Sequence, residues 1–93
     1  MAKKVKLYDI EYTHAAGRDL KKLRKNRAVL KSIDATITSL KTNPRPNGAE
    51  KLSGETKYRV RDGEHRILYE INDTDRKVLV TRVRDRKDVY KEH

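Results

Sequence analysis

The sequence predicts an α+β fold of the order β-α-α-β-β-β, in which a helix hairpin packs on one face of a small, mostly antiparallel sheet. Apolar residues recur at helical spacing through the first half of the chain, and strict alternation replaces that spacing in the second half. Between the halves, "TNPRPNG" contains two prolines and a glycine, which end a helix. Because 93 residues suffice for one modest core, residues 1–93 are expected to form a single domain.

One strand and two helices are predicted before this loop. Alternation in "KVKLYDIEY" predicts the first strand. Thr13 can then act as the N-cap of a helix from His14 to about Lys25, whose apolar stripe lies opposite a row of lysines and arginines. Apolar residues at helical spacing predict a second helix from about Arg27 to Lys41. The short link between the two helices predicts a hairpin.

Three strands are predicted after the loop, at Lys57 to Arg61, Arg66 to Ile71 and Val78 to Arg86. The pair Asp62-Gly63 separates the first two, and it favours a two-residue type I′ turn, in which both central residues have positive φ. A second turn, at Asn72 to Asp75, separates the last two strands.

The predicted turn determines which side chains share a face of the sheet. It places Val60 opposite His65 and Arg59 opposite Arg66, and opposed residues point to the same side. The face that should receive the helices then carries Tyr58, Val60, Ile67, Tyr69 and Ile71, with His65 buried or at its edge. If Leu79 and Val83 also meet the helices, the open face carries Arg59, Arg61, Arg66, Arg82, Arg84 and Arg86, together with Leu68, Val78 and Val80.

The concentration of arginine on one sheet face points to phosphate binding. Like charges opposed across strands cost up to about 1 kcal/mol per pair, and such costs are expected at functional sites. In the alternative interpretation, Glu64, Glu70 and solvent screen the arginine charges, and the face serves only to keep the protein soluble. Lysine dominates the helices, but the strands use the guanidinium, which grips phosphate with a two-pronged fork. We therefore predict a phosphate site on a rigid scaffold.

Composition supports a polyanionic partner. Lysine and arginine number 24 against 14 acidic residues, a net charge of +10. The chain contains no cysteine, no apolar run long enough to span a membrane and no apolar centre in "MAKKVKLYDI", which predicts a cytoplasmic protein without a membrane partner. His14 and His93 lack a second ligand at metal-binding spacing, so no metal site is expected, and we expect no other cofactor.

The stretches "YRVRDGEHRILYEI" and "VLVTRVRDRKDVY" resemble the RelE/ParE toxin superfamily, and especially its RelE branch of messenger RNA-cleaving toxins. The resemblance spans the whole chain, since β-α-α-β-β-β is also the order of that family. It implies catalytic or RNA-contacting roles for Arg59, Arg61, Arg66, Arg86 and Tyr90. We further assign RNA binding to Lys57, Arg82, Arg84 and Lys87.

Two departures from the family pattern affect the expected chemistry. RelE members often have lysines where this chain has Arg59 and Arg61, and an arginine cannot serve as a base because it does not deprotonate in proteins. Where the family commonly has Gly-His, this chain has Arg84-Asp85, which leaves open whether Arg84 or Arg86 enters the site. Tyr90 is the best candidate for the base, because neighbouring guanidinium groups would lower its pKa from about 10.

The sequence thus predicts a metal-independent, ribosome-dependent endoribonuclease in which a 2′-hydroxyl attacks the adjacent phosphate of messenger RNA. Two alternatives remain: a ParE-like toxin that inhibits DNA gyrase, and a non-catalytic RNA- or ribosome-binding protein. The resemblance implies a RelB-like antitoxin that wraps the toxin, and the positive surface predicts acidic residues beside apolar ones in its wrapping segment. The toxin alone is expected to be monomeric.

Overall fold

The computed structural model describes residues 7–52, 54 and 56–85, which form a five-stranded sheet and two helices. The elements are β1 (Asp9–Tyr12), α1 (His14–Lys22), α2 (Arg27–Ser39), β2 (Glu50–Lys51), β3 (Lys57–Asp62), β4 (His65–Asn72) and β5 (Lys77–Asp85). The strand order is β1-β5-β4-β3-β2, with β1 parallel to β5 and the other neighbours antiparallel. The predicted fold class is confirmed.

The two helices begin at the predicted residues and end slightly earlier than predicted. The Ala16 N–H donates to Thr13 Oγ1 at 3.1 Å, so Thr13 is the N-cap of α1. Asn26 caps α2 in the same way, because its Oδ1 accepts from the Val29 N–H at 3.2 Å. This second cap leaves only residues 23–26 for the reversal of the chain, which explains why α1 ends at Lys22. Neither helix in the described part of the chain has the length and apolar character of a membrane span.

The core lies between the helix hairpin and one face of the sheet. Ile33 and Ile37 of α2 and Ala16 of α1 are buried against it. The sheet contributes Tyr58, Val60, Ile67, Tyr69, Ile71, Val78, Val80 and Val83. The five β3 and β4 residues predicted for this face are all buried, so that assignment is confirmed.

The hairpin between β3 and β4 has a different register from the predicted one. Asp62 pairs with His65 and Arg61 with Arg66, so the central residues of the turn are Gly63 and Glu64. The predicted opposition of Arg59 and Arg66 is therefore wrong. Of the two central residues only Gly63 has positive φ, at 59°, as at the first central position of a type II′ turn. The register moved by two residues, which keeps every side chain on its predicted face.

A β-bulge interrupts β5, and the side chains before the bulge point to the face opposite the predicted one. Leu68 pairs with Arg82 but Tyr69 pairs with Val80, so Thr81 is an extra residue in the ladder. Val78 and Val80 are fully buried in the core and do not lie on the arginine side as predicted. Val83 is buried after the bulge, as predicted. A strict period of two cannot represent the inserted residue, and for that reason the prediction failed for the first half of the strand.

Candidate functional site

Three arginines form a straight row across the central strands on the open face of the sheet. Arg61 of β3 lies opposite Arg66 of β4, and Arg66 lies opposite Arg84 of β5. Directly opposed residues have Cβ atoms about 5 Å apart, so three guanidinium groups project from neighbouring positions. Arg66 and Arg84 are half-buried, whereas the Arg61 side chain is 60% exposed. We call Arg61, Arg66 and Arg84 the arginine row.

A second line of side chains runs beside the arginine row and contains Arg59. Glu50 of β2 lies opposite Arg59, which lies opposite Leu68. Arg59 Nη2 donates to Glu50 Oε1 at 2.9 Å, and Arg61 Nη2 approaches the same oxygen at 3.9 Å. The hydrogen bond and charge of Arg59, together with the charges of Arg61 and Arg66, hold the pKa of Glu50 below its ordinary value.

Two of these arginines have buried donors that are not used by the surrounding protein. The Nε groups of Arg59 and Arg66 are buried and have no hydrogen-bond acceptor among residues 7–52, 54 and 56–85. Buried donors of this kind are rare in folded proteins. A ligand oxygen that reached them would gain hydrogen bonds that neighbouring side chains do not supply.

The remaining basic residues predicted for the site have different surroundings. Arg82 Nε donates to Asp19 Oδ2 at 2.8 Å, which ties this guanidinium to α1. Lys57 is exposed and lies opposite Glu70, two residues along β3 from Arg59. Arg86, Lys87 and Tyr90 lie outside the described residues. Every one of these roles stays a prediction.

His65 lies on the core side of the sheet, as its parity predicted. It is buried, and its Nε2 is 3.7 Å from Asp85 Oδ2 across the β4–β5 pair. The arginine row projects from the opposite face, so His65 does not join it. In the described part of the chain, no group of three or more acidic or histidine side chains is placed to hold a metal ion.

Charge is distributed unevenly along the open face. Beyond Arg59, the face carries Glu70 and Leu79. Glu70 and Leu79 line an open depression of about 510 Å³, together with Glu11 and Asp73. Lys77 offsets Glu11, with Nζ to Oε2 at 3.5 Å. Lys57 and Lys77 offset Glu70 and Glu11 at this end, so we expect an anion to be attracted more strongly to the end that carries the arginine row.

Sequence reasoning missed Glu50 because β2 has only two residues, too few to show any alternation. A signal was nevertheless present in the sequence. Glu50 follows the proline-containing loop and precedes an arginine-rich strand, so a short antiparallel pairing would place its carboxylate beside an arginine. Only the register of that pairing shows that the partner is Arg59.

Two comparisons with known proteins match most of the chain. The family model described as "ParE toxin of type II toxin-antitoxin system, parDE" matches residues 10–90. A candidate toxin, RelE1, of Methanocaldococcus jannaschii is 32% identical over 88 residues, which cover 90% of this chain and 96% of that protein.

Solved structures of similar fold include toxins in complex with antitoxins. The RelBE2 toxin–antitoxin complex of Mycobacterium tuberculosis contains a chain with a TM-score of 0.73 and 28% identity, with 85% of this chain and 98% of that chain covered. The archaeal RelE–RelB complex of Pyrococcus horikoshii gives a TM-score of 0.75 at 23% identity, with 86% and 96% covered. At that identity the second likeness concerns the fold alone.

Proposed function

The chain belongs to the RelE/ParE superfamily and is a toxin of a type II toxin–antitoxin system, and from this premise we propose that it is a metal-independent endoribonuclease. It cleaves messenger RNA on the ribosome and so inhibits translation. The observation that carries the proposal is the arginine row, which presents three guanidinium groups beside Arg59 on one rigid sheet face. Such a surface suits a substrate whose charge is on phosphate.

Cleavage of RNA without a metal has three chemical requirements. The 2′-hydroxyl attacks the adjacent phosphorus in line, a base removes the hydroxyl proton, and an acid protonates the departing 5′-oxygen. Negative charge grows on the phosphate oxygens during the attack. Fixed guanidinium donors stabilise that charge, and one preorganised donor is typically worth about 3 kcal/mol. Arg59, Arg61 and Arg66 take this role in the proposal, with Arg84 or Arg86 beside them.

The base in the proposal is Tyr90, since arginine does not deprotonate. A guanidinium group beside a phenol favours the phenolate, and the sequence carries several arginines before Tyr90. A Tyr90→Phe variant keeps the ring and removes the hydroxyl, so it separates chemistry from stacking. Full cleavage activity in that variant would exclude the phenol as the base.

The proposal includes two kinds of partner. The ribosome positions the messenger RNA substrate, which compensates for the small number of acid and base groups at the site. The cognate antitoxin is RelB-like, and this assignment is supported by the similar RelBE2 structure, which is a toxin–antitoxin complex. Its acidic residues would meet the positive surface of the toxin, where they should mainly increase the rate of association.

A second candidate function is inhibition of DNA gyrase without nuclease activity. The description of the matching family model as a ParE toxin favours it. The arginine row argues for the nuclease, since binding to gyrase does not require several guanidinium groups converging on a phosphate.

One pair of assays separates the candidates. RNA ends are mapped in a translating extract after addition of the toxin, and supercoiling by purified gyrase is followed in parallel. The nuclease produces new messenger RNA ends that disappear with the Arg59→Ala, Arg61→Ala, Arg66→Ala triple variant, and it leaves gyrase active. Loss of supercoiling without new ends would identify the gyrase inhibitor. Ribosome or RNA binding without either effect would identify a non-catalytic protein.

A further inference from the structure

The phosphate site proposed above already holds an anion, and that anion belongs to the chain itself. The same Oε1 oxygen of Glu50 faces the guanidinium groups of Arg59 and Arg61, at 2.9 and 3.9 Å. We propose that Glu50 occupies the place of a substrate phosphate in the free toxin, so that RNA binds only by displacing its carboxylate. This inference rests on the proposed function of the arginines.

The chemistry of the contact supports substitution of one anion for another. A guanidinium offers its planar N–H fork equally to a carboxylate and to a phosphate. The 2.9 Å separation is that of a charge-assisted hydrogen bond. A phosphate oxygen that bound Arg59 at this length would therefore compete with Glu50 Oε1 for the same Nη2 donor.

The position of Glu50 at the edge of the sheet allows its carboxylate to move away from Arg59. Its side chain is 52% exposed, and it extends from a strand of two residues at the edge of the sheet. Exposed ion pairs of this kind contribute little to stability. Arg59 is held more firmly, because it lies in the middle of β3 and its side chain is only 27% exposed. The carboxylate can swing into solvent while the guanidinium stays in place.

Occupation by Glu50 should weaken binding without blocking it. When only part of the population is competent to bind, the apparent dissociation constant increases by the inverse of the competent fraction. Removal of the competing charge should then increase affinity. If Glu50 instead served to orient Arg59, its removal would decrease affinity, and the two roles therefore predict effects of opposite sign.

The test compares Glu50→Gln with Glu70→Gln. Glu70 lies on the same face of the sheet, opposite Lys57 and away from the arginine row, so both variants change the net charge equally. The probe is a short oligoribonucleotide with 2′-O-methyl groups, which cannot be cleaved by 2′-hydroxyl attack. We expect Glu50→Gln to bind it roughly fivefold more tightly than the wild-type toxin and Glu70→Gln less than twofold more tightly.

Two further measurements fix the interpretation. At constant pH, the carbon-13 resonance of the Glu50 carboxyl should move when the oligonucleotide is added to the wild-type toxin. In the translating extract, Glu50→Gln should reach half-maximal cleavage at a lower substrate concentration with an unchanged maximal rate.

An affinity of Glu50→Gln equal to or below that of the wild type would overturn the inference, as would a stationary Glu50 resonance. Failure of the phosphate site itself has a separate signature: the Arg59, Arg61 and Arg66 triple alanine variant would bind the oligonucleotide as well as the wild type does. Unfolding midpoints of both glutamine variants confirm that the comparison is between folded proteins.

Discussion

Asp19 of α1 and Arg82 of β5, separated by 63 residues in the chain, form an ion pair with Arg82 Nε donating to Asp19 Oδ2 at 2.8 Å. The same carboxylate oxygen accepts from the Val83 N–H at 2.9 Å. Strand β1 ends at Tyr12, opposite Val80, so no strand of the described residues continues along this part of the β5 edge. Asp19 therefore provides the acceptor that a further β1 residue would have provided.

Replacement of Asp19 with alanine should destabilise the fold. Burial alone would raise the pKa of this carboxyl, but the hydrogen bonds from Arg82 and Val83 and the charges of Arg82 and Lys22 together outweigh burial and lower the pKa. The variant removes the acceptor of a buried N–H and one acceptor of a half-buried guanidinium, which should cost about 2–3 kcal/mol. Urea unfolding near neutral pH measures this loss. Asp34→Ala, at an exposed position of α2, is the control and should change stability by less than about 0.5 kcal/mol. Equal stability of the two variants would contradict the assignment.

A second carboxylate anchors the loop between α2 and β2. Arg45 donates to Asp73 through Nη1 at 3.3 Å and Nη2 at 2.8 Å, and the Tyr8 hydroxyl donates to Asp73 Oδ1 at 2.6 Å. The hydrogen bonds from Arg45 and then Tyr8 lower the pKa of Asp73 from 3.8 to about 2. The folded state thus favours the ionised form more than the unfolded state does.

This shift predicts how stability depends on pH. Because the pKa is lower in the folded state, the stabilisation is present above pH 4 and is lost as the pH falls towards 2. Asp73→Asn should cost about 1 kcal/mol at pH 6, a modest value because the side chain is 56% exposed and solvent screens the pair. The difference between wild type and variant should shrink as the pH falls from 5 to 2. A constant difference over that range, or an equal effect of Asp34→Asn, would contradict the prediction.

The β-bulge in β5 gives a third prediction, which concerns Val80 and Leu79. Val80 is fully buried, whereas Leu79 is half-buried on the open face. Val80→Ala should lower the free energy of unfolding by about 2 kcal/mol, and Leu79→Ala by less than about 1 kcal/mol. Denaturant titration of the two variants checks the order. A larger loss of stability for Leu79→Ala than for Val80→Ala would contradict the bulge. It would instead favour the strict alternation predicted from the sequence, in which Val80 lies on the open face.

Features that depend on local pattern were predictable from the sequence. Thr13 and Arg27 mark the starts of the helices correctly, because capping and helical spacing depend on residues within one or two turns. The faces of β3 and β4 were also correct despite the wrong register. A shift of two residues preserves parity, so Tyr58 and Val60 stay on the core side in either pairing.

Features that depend on distant partners were not predictable. The extra residue at Thr81 is visible only in the pairing of β5 with β4, and one such residue reverses the parity of Val78 and Val80. The contact of Asp19 with β5 and the pairing of Glu50 with Arg59 likewise require the assembled sheet. The candidate site was therefore predicted as a set of arginines, and its anionic neighbour was not.

The last prediction concerns Arg66, the centre of the arginine row. Its Nε is buried and has no acceptor among the residues that the structure describes, and we expect its guanidinium to bind the phosphate. Arg66→Lys keeps the positive charge but replaces the fork with a single ammonium. The affinity for RNA should stay within about threefold, because it follows the number of charges. Cleavage on programmed ribosomes in single-turnover conditions should slow by about 100-fold, the typical cost of one donor to the developing oxyanion. Arg27→Lys, at the exposed start of α2, is the control and should cleave normally. If Arg66→Lys cleaves within twofold of the wild type, charge alone suffices at this position and the fork has no part in the reaction.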